Sequence, residues 1–211
     1  IGEGDSRRYR IDADPVAAQD RVFTLDAHAL VTATSSEGQT LWTYDLTPAR
    51  DGVGDAGGGG LAFSENKLFV TSGYGTLTAL DPKTGLPVWV HDLNAGGTGT
   101  PSVYDGVVYV VAGDGTSVAL EADSGRMRWE VDAATSSAAG VDGGAAPAVT
   151  NKFVVFALAS GEIFSVFRKG GLRYWSSLMS GKRVGVAAAT INDVTSDPVV
   201  VDNTVYVGSH S

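Results

Sequence analysis

The pattern Gly-x-x-x-Trp occurs four times in this 211-residue chain and takes in every tryptophan. Gly38 precedes Trp42, Gly85 precedes Trp89, Gly125 precedes Trp129 and Gly171 precedes Trp175. The tryptophans lie 47, 40 and 46 residues apart. So rare a residue, held at one phase of a period of about 45, marks a repeat architecture. Other positions keep that phase. Phe69, Tyr109 and Val155 stand 20 residues before Trp89, Trp129 and Trp175, and Phe23 stands 19 before Trp42. Pro15, Pro101, Pro147 and Pro198 each lie 8 residues before Phe23, Tyr109, Val155 and Tyr206, and Leu61 takes that place in the second copy. Four copies therefore run over residues 13–46, 59–93, 99–132 and 145–178, with a half copy over 197–211.

Each copy reads as four short strands. In the third, Pro101 to Tyr104 is the first, with proline at the strand start where no ladder donor is lost. Val107 to Val111 is the second, and Gly113-Asp114-Gly115 suits a tight hairpin because Asp and Gly tolerate positive φ. Ser117 to Glu121 and Met127 to Val131 follow, separated by Asp123-Ser124-Gly125. The second strands, such as Val-Val-Tyr-Val-Val at 107–111, are apolar on both faces, whereas a sheet with one wet face would alternate. Four strands per repeat, sheets covered on both sides and this period predict an all-β fold, a β-propeller of four-stranded antiparallel blades. No helical periodicity and no domain boundary are visible, so the chain is expected to be a single partial propeller domain over 1–211.

Packing accounts for the tryptophans. A buried indole removes about 150–250 Å² from water, worth ~4–6 kcal/mol at about 25 cal/mol per Å². The glycine four residues earlier permits positive φ and a close approach of backbone to a ring. These eight residues are expected to dock one blade on the next.

Composition excludes several function classes. Net charge is −9, and the longest basic runs are Arg7-Arg8 and Arg168-Lys169, which disfavours a phosphate-backbone partner. There is no cysteine, hence no disulfide, thiolate metal site or cysteine nucleophile. No apolar stretch approaches the ~20 residues of a spanning helix. His28, His91 and His210 sit in different repeats without metal-ligand spacing. No Gly-x-Ser-x-Gly elbow is present. Gly57 to Gly60 run into Leu-Ala-Phe, so they enter a strand and do not cradle phosphate. Asp51 to Asp55 lack the further acidic ligands of a calcium loop. Ser180-Gly181-Lys182-Arg183 reads first as a solvated loop, and the alternative is that Arg183 meets an acidic partner. No catalytic residue, cofactor or metal is expected.

Ala-Leu-Asp-Pro-Lys-Thr-Gly-Leu-Pro-Val-Trp at 79–89, echoed by Ala-Leu-Glu-Ala-Asp-Ser-Gly-Arg-Met-Arg-Trp at 119–129, resembles the tryptophan-docking motif of PQQ-type propellers. Ile-Asn-Asp-Val-Thr-Ser-Asp-Pro-Val-Val-Val-Asp-Asn-Thr-Val-Tyr at 191–206 is similar to the stretch Asp-Val-Asp-Thr-Thr-Pro-Val-Val-Val-Asn-Gly-Val-Val-Tyr of the BamB outer-membrane assembly lipoproteins. Ser160-Gly161-Glu162, Asp45-Leu46-Thr47-Pro48 and the glycines at 57–60 look like its alphaproteobacterial version. The resemblance covers nearly the whole chain. It implies an eight-bladed ring, of which about four and a half blades are present here, without the lipidated N-terminal cysteine or the closing blades.

It also implies a non-catalytic scaffold at the periplasmic face of a Gram-negative outer membrane. Such a scaffold docks through inter-blade loops on the periplasmic domains of the barrel-assembly protein, and unfolded outer-membrane proteins are possible clients. One family docking aspartate falls on Asp193. The second falls on Thr195, and the family arginine falls near Asp142, a charge reversal. The alternatives are a PQQ- and calcium-dependent quinoprotein dehydrogenase domain, or a periplasmic propeller binding another protein or carbohydrate. The dehydrogenases use a vicinal disulfide and a calcium ligand set, neither of which this chain supplies.

Overall fold

The computed structural model describes residues 13–48, 59–96, 99–133, 145–179, 194 and 196–208. Among them the chain is all-β, without a helix. The first sheet comprises β1 (Val16–Ala18), β2 (Arg21–Leu25), β3 (Leu30–Ser35) and β4 (Thr40–Asp45). The second comprises β5 (Gly59–Ser64), β6 (Lys67–Ser72), β7 (Thr76–Leu80) and β8 (Pro87–Asp92). The third comprises β9 (Ser102–Tyr104), β10 (Val107–Val111), β11 (Ser117–Glu121) and β12 (Met127–Val131). The fourth comprises β13 (Ala148–Val149), β14 (Phe153–Ala157), β15 (Glu162–Phe167) and β16 (Arg173–Leu178), and β17 (Val199–Val201) pairs with β18 (Thr204–Tyr206). Each sheet is an antiparallel meander with strands side by side in chain order, the blade of a β-propeller.

Local chemistry explains the meander. Strands β1, β9, β13 and β17 each begin one residue after a proline, so the missing N–H falls outside the ladder. The first hairpins close through Gln19-Asp20, Glu65-Asn66 and Asp105-Gly106, all at positive φ. Paired left-handed residues give the turn whose twist matches the flanking strands.

One row of side chains crosses every sheet in register. Phe23 pairs with Ala33 and Ala33 with Trp42; Phe69, Ala79 and Trp89 repeat this, as do Tyr109, Ala119 and Trp129. The small central residue lets the outer rings meet across it, with centroids 5.8, 5.9 and 5.8 Å apart. In the fourth sheet Val155, Ser165 and Trp175 fill the row. Each outermost strand slips register beside its tryptophan. This leaves Leu41, Val88, Arg128 or Tyr174 as the extra residue of a bulge, which twists the edge strand. The copy whose Phe23–Trp42 spacing is one residue short loses that residue in the β3–β4 turn, where the Gly38 N–H reaches back three residues to Ser35. The other three glycines reach back four.

The core lies between sheets. Four apolar clusters fill the gaps between successive sheets, and all five residues of β10 are buried. Gly59 and Gly60 open β5, where a Cβ would stand 2.4 Å from the Thr71 carbonyl oxygen and 2.2 Å from Thr100 Oγ1. Only bare backbone fits where inner strands crowd.

Tyr109 is the one tyrosine in the aromatic row among the described residues. Its ring is fully buried, and its hydroxyl has no hydrogen bond of proper geometry, although the Arg168 guanidinium lies alongside. Burial pushes the phenol above its ordinary pKa despite that charge. The sister sheets carry Phe23 and Phe69 at this place. Tyr109→Phe is therefore expected to leave stability at neutral pH unchanged within about 0.5 kcal/mol or to raise it slightly. The unfolded tyrosine ionises near pH 10 while the folded one resists. Stability held below that pH is thus lost by the wild type as pH rises past it, and kept by the variant. Urea midpoints at pH 7 and pH 10.5 test both statements.

Candidate functional site

The repeated glycine and tryptophan form a joint between sheets. The ring of Trp42 lies on Gly85, that of Trp89 on Gly125 and that of Trp129 on Gly171. A Cβ on these glycines would stand 2.6, 2.7 and 2.9 Å from the indole of the preceding sheet. Each also holds a φ near +70° (72°, 69° and 69°), a region that L side chains rarely adopt. Each glycine therefore serves the tryptophan of the previous repeat and not the one four residues after it. The indole Nε1 completes the joint by donating to a carbonyl three residues before that glycine. The acceptors are Pro82, Ala122 and Arg168, at 3.0, 3.0 and 2.9 Å. Trp129 is 8% exposed, and Trp42, Trp89 and Trp175 are half-buried. Gly38, also at positive φ, has open space where the others receive a ring.

Polar ties run beside these joints. Gln19 bonds Asn66, the Gly106 N–H donates to Glu65, and Lys67 pairs with Asp123 at 2.6 Å. Between the third and fourth sheets Arg168 is the hub. Its Nη1 meets Asp105 at 2.9 Å, its Nε donates to the Asn151 carbonyl, and its guanidinium covers the Tyr104 ring at 4.9 Å. The Asp105 carboxylate holds the Arg168 guanidinium above its ordinary pKa. Arg173 lies along the face of β15, with its guanidinium 4.2 Å from the Phe164 ring. It ends on Glu162 at 2.8 Å and on the Asp132 carbonyl. Glu162 is 3% exposed. In the sequence Arg168 shows only as half of a two-residue basic run, and nothing marks Arg173. The signal available for Arg168 is its place three residues before Gly171, where the other copies carry Pro82 and Ala122.

The partner-docking residues expected from the sequence, Asp142, Arg183, Asp193 and Thr195, lie outside the described residues, as does His210. Described residues next to Asp193 and Thr195 make defined contacts. Val194 is buried in the cluster on the fourth sheet, Ser196 Oγ accepts the Gly208 N–H at 2.8 Å, and Asp197 accepts the Ala146 N–H at 2.7 Å. His28 sits in the β2–β3 turn, where its N–H donates to Asp26, and His91 lies in β8. Among the described residues no three His, Asp or Glu side chains gather to hold a metal ion.

The family model described as Outer membrane protein assembly factor BamB matches residues 27–211. Outer membrane protein assembly factor BamB of Moranella endobia is 28% identical over 97% of this chain and 53% of its own length. The crystal structure of BamB from Moraxella catarrhalis superposes with a TM-score of 0.70 at 23% identity, covering 96% of this chain and 56% of that one. Quinohemoprotein alcohol dehydrogenase ADH-IIG of Pseudomonas putida is 29% identical, but over only 56% of this chain and 19% of its own. The chain spans about half the length of the assembly-factor relatives it matches.

Proposed function

Since the chain belongs to the Outer membrane protein assembly factor BamB family, we propose that it is part of a non-catalytic scaffold in outer-membrane β-barrel assembly. The observation that carries this reading is the family match across residues 27–211, on a fold whose sheets are joined by stacked tryptophans. In this reading the segments 13–46, 59–93, 99–132 and 145–178 are blades, and 197–211 begins the next, in an eight-bladed ring. The protein works at the periplasmic face of the outer membrane, held there by a lipid anchor outside this chain. Inter-blade loops dock on the periplasmic domains of the barrel-assembly protein, with Asp193, Thr195, Asp142 and Arg183 on the contact face. Work is done by recognition: the unpaired edges of β4, β8, β12 and β16 offer backbone donors and acceptors to extended clients. No nucleic acid is a partner.

The test is a pull-down of the full-length protein with the purified periplasmic domains of its host's barrel-assembly protein, with Asp193→Arg alongside. Binding by the wild type that falls at least roughly tenfold in the variant is the expected result, the cost of placing like charge at a docking contact. Absence of wild-type binding at micromolar concentrations would remove the assembly role.

A further inference from the structure

The fourth sheet carries an aromatic cluster whose outer members lie beyond the face that docks the next sheet. Phe153, Phe167 and Tyr174 form a closed aromatic triangle, with centroids 5.2 Å, 4.9 Å and 5.4 Å apart. Phe167 is 39% exposed, Tyr174 59% and the neighbouring Leu172 70%. In the third sheet the corresponding positions hold Val107, Glu121 and Arg128. There Glu121 pairs with Arg126 and Arg128, and the side chains of Glu121 and Arg128 stay 24% and 47% exposed although the fourth sheet packs behind them. The positions of Phe167 and Tyr174 thus reach solvent even where a following sheet is in place, whereas that of Phe153, like Val107 at 1% exposure, lies under the next sheet. The third sheet fills these two outer positions with an ion pair, and the fourth fills them with rings that rest on Phe153. A contiguous apolar patch with a polar rim marks an interaction site.

Charge identifies what it would meet. Residues 145–179 carry Lys152, Arg168, Lys169 and Arg173 against a single carboxylate, Glu162, which is buried on Arg173. Residues 99–133 carry only Arg126 and Arg128 against six carboxylates, in a chain of net charge −9. Arg168 is engaged by Asp105. Lys152 and Lys169 are exposed and make no ion pair among the described residues. They flank the triangle, since the Arg168 N–H donates to the Lys152 carbonyl and Phe153 pairs with Phe167. This hairpin end of the sheet is opposite the end at which the chain enters at Ala148 and leaves at Leu178. It is therefore separate from the inter-blade loops.

We propose that the hairpin end of the fourth sheet, built on Phe153, Phe167 and Tyr174 between Lys152 and Lys169, docks an acidic extended segment of another protein bearing an aromatic anchor. The rings supply stacking area at little entropic cost, and the lysines select acidic over basic sequence. The site does not depend on the assembly-scaffold reading.

The probe is a fluorescein-labelled peptide alternating Asp or Glu with Phe, titrated into the full-length protein by anisotropy. Beside it runs a twin in which every acidic residue is Lys. The acidic peptide should bind roughly tenfold or more tightly at low salt, with the preference shrinking as added salt screens it. Lys152→Glu with Lys169→Glu should abolish or invert the preference, and Tyr174→Ser should weaken both peptides alike. All three side chains are exposed, so unchanged unfolding midpoints will show that the variants fold. Hydrogen exchange should show protection at 150–153 and 167–174. Equal binding of the two peptides, an affinity indifferent to the lysines, or protection only at the opposite end of the sheet would overturn the proposal. So would lysine-dependent sedimentation with phosphatidylcholine–phosphatidylglycerol vesicles by a protein that ignores the peptide.

Discussion

Replacing Trp129 with alanine is expected to lower stability by about 3–5 kcal/mol, the range for losing a large buried aromatic. Three losses coincide. The ring leaves a cavity among Tyr109, Phe156 and Phe164, which belong to its cluster. Its centroid distances of 5.8 Å to Tyr109 and 6.3 Å to Phe156, the latter edge-on, are those of favourable aromatic pairs. The Arg168 carbonyl, 2.9 Å from the indole nitrogen, loses its donor. A double-mutant cycle separates the joint from simple burial. Gly171→Ala alone should cost more than the ~1 kcal/mol of a left-handed alanine, because its Cβ would press on the Trp129 ring at 2.9 Å. In the Trp129→Ala background only the backbone part should remain, so the two costs should add to more than the double variant shows. Urea unfolding of the four proteins measures this. A loss below 1 kcal/mol for Trp129→Ala, or strict additivity, would show that ring and glycine do not work as one joint.

The second large effect belongs to Arg173. Arg173→Met keeps an apolar stem and removes the guanidinium, with its place over Phe164 and its hydrogen bond to the Asp132 carbonyl. The Glu162 carboxylate, 3% exposed, then loses the guanidinium 2.8 Å away. Removing one partner of a buried charge costs up to about 3–5 kcal/mol, far more than the pair contributes relative to apolar side chains. The double variant Glu162→Leu with Arg173→Met is therefore expected to recover most of the loss. Thermal or urea midpoints decide the matter. A single variant as stable as the wild type would mean that the carboxylate is solvated or held by other groups. A double variant no better than the single would place the cost in packing.

The sequence carries the fold well because the fold is periodic. The strands of the third copy follow from hairpin chemistry at Asp114-Gly115 and Asp123-Ser124-Gly125, and β9 to β12 occupy that reading almost residue for residue. What the period cannot reveal is which copy a residue touches. Gly85 and Trp89 share a motif, yet Gly85 meets Trp42, because spacing reports position within a repeat and not the neighbour across it. The Arg173–Glu162 pair was invisible for a related reason. It runs lengthwise along one face of a sheet, over Phe164, and no short motif records that path. The aromatic triangle escaped notice because Phe153, Phe167 and Tyr174 sit at positions whose counterparts are Val107, Glu121 and Arg128. A phase-by-phase comparison of copies in search of differences, not likenesses, would have found it. The loop residues at 142, 183, 193 and 195 were legible only through likeness to a family, since irregular connections obey no period.

The offset joint bears on how such a chain can grow. At each of the three joints, the ring of one copy reaches forward into the glycine socket of the next. Tandem duplication of a copy that carries both parts would therefore insert a unit whose ring and socket already match its neighbours. Unequal recombination could lengthen or shorten the array one unit at a time while each new junction stayed sealed. Ancestors with different numbers of units could have been viable intermediates, and selection would then act on closure of the whole and not on repair of the seams.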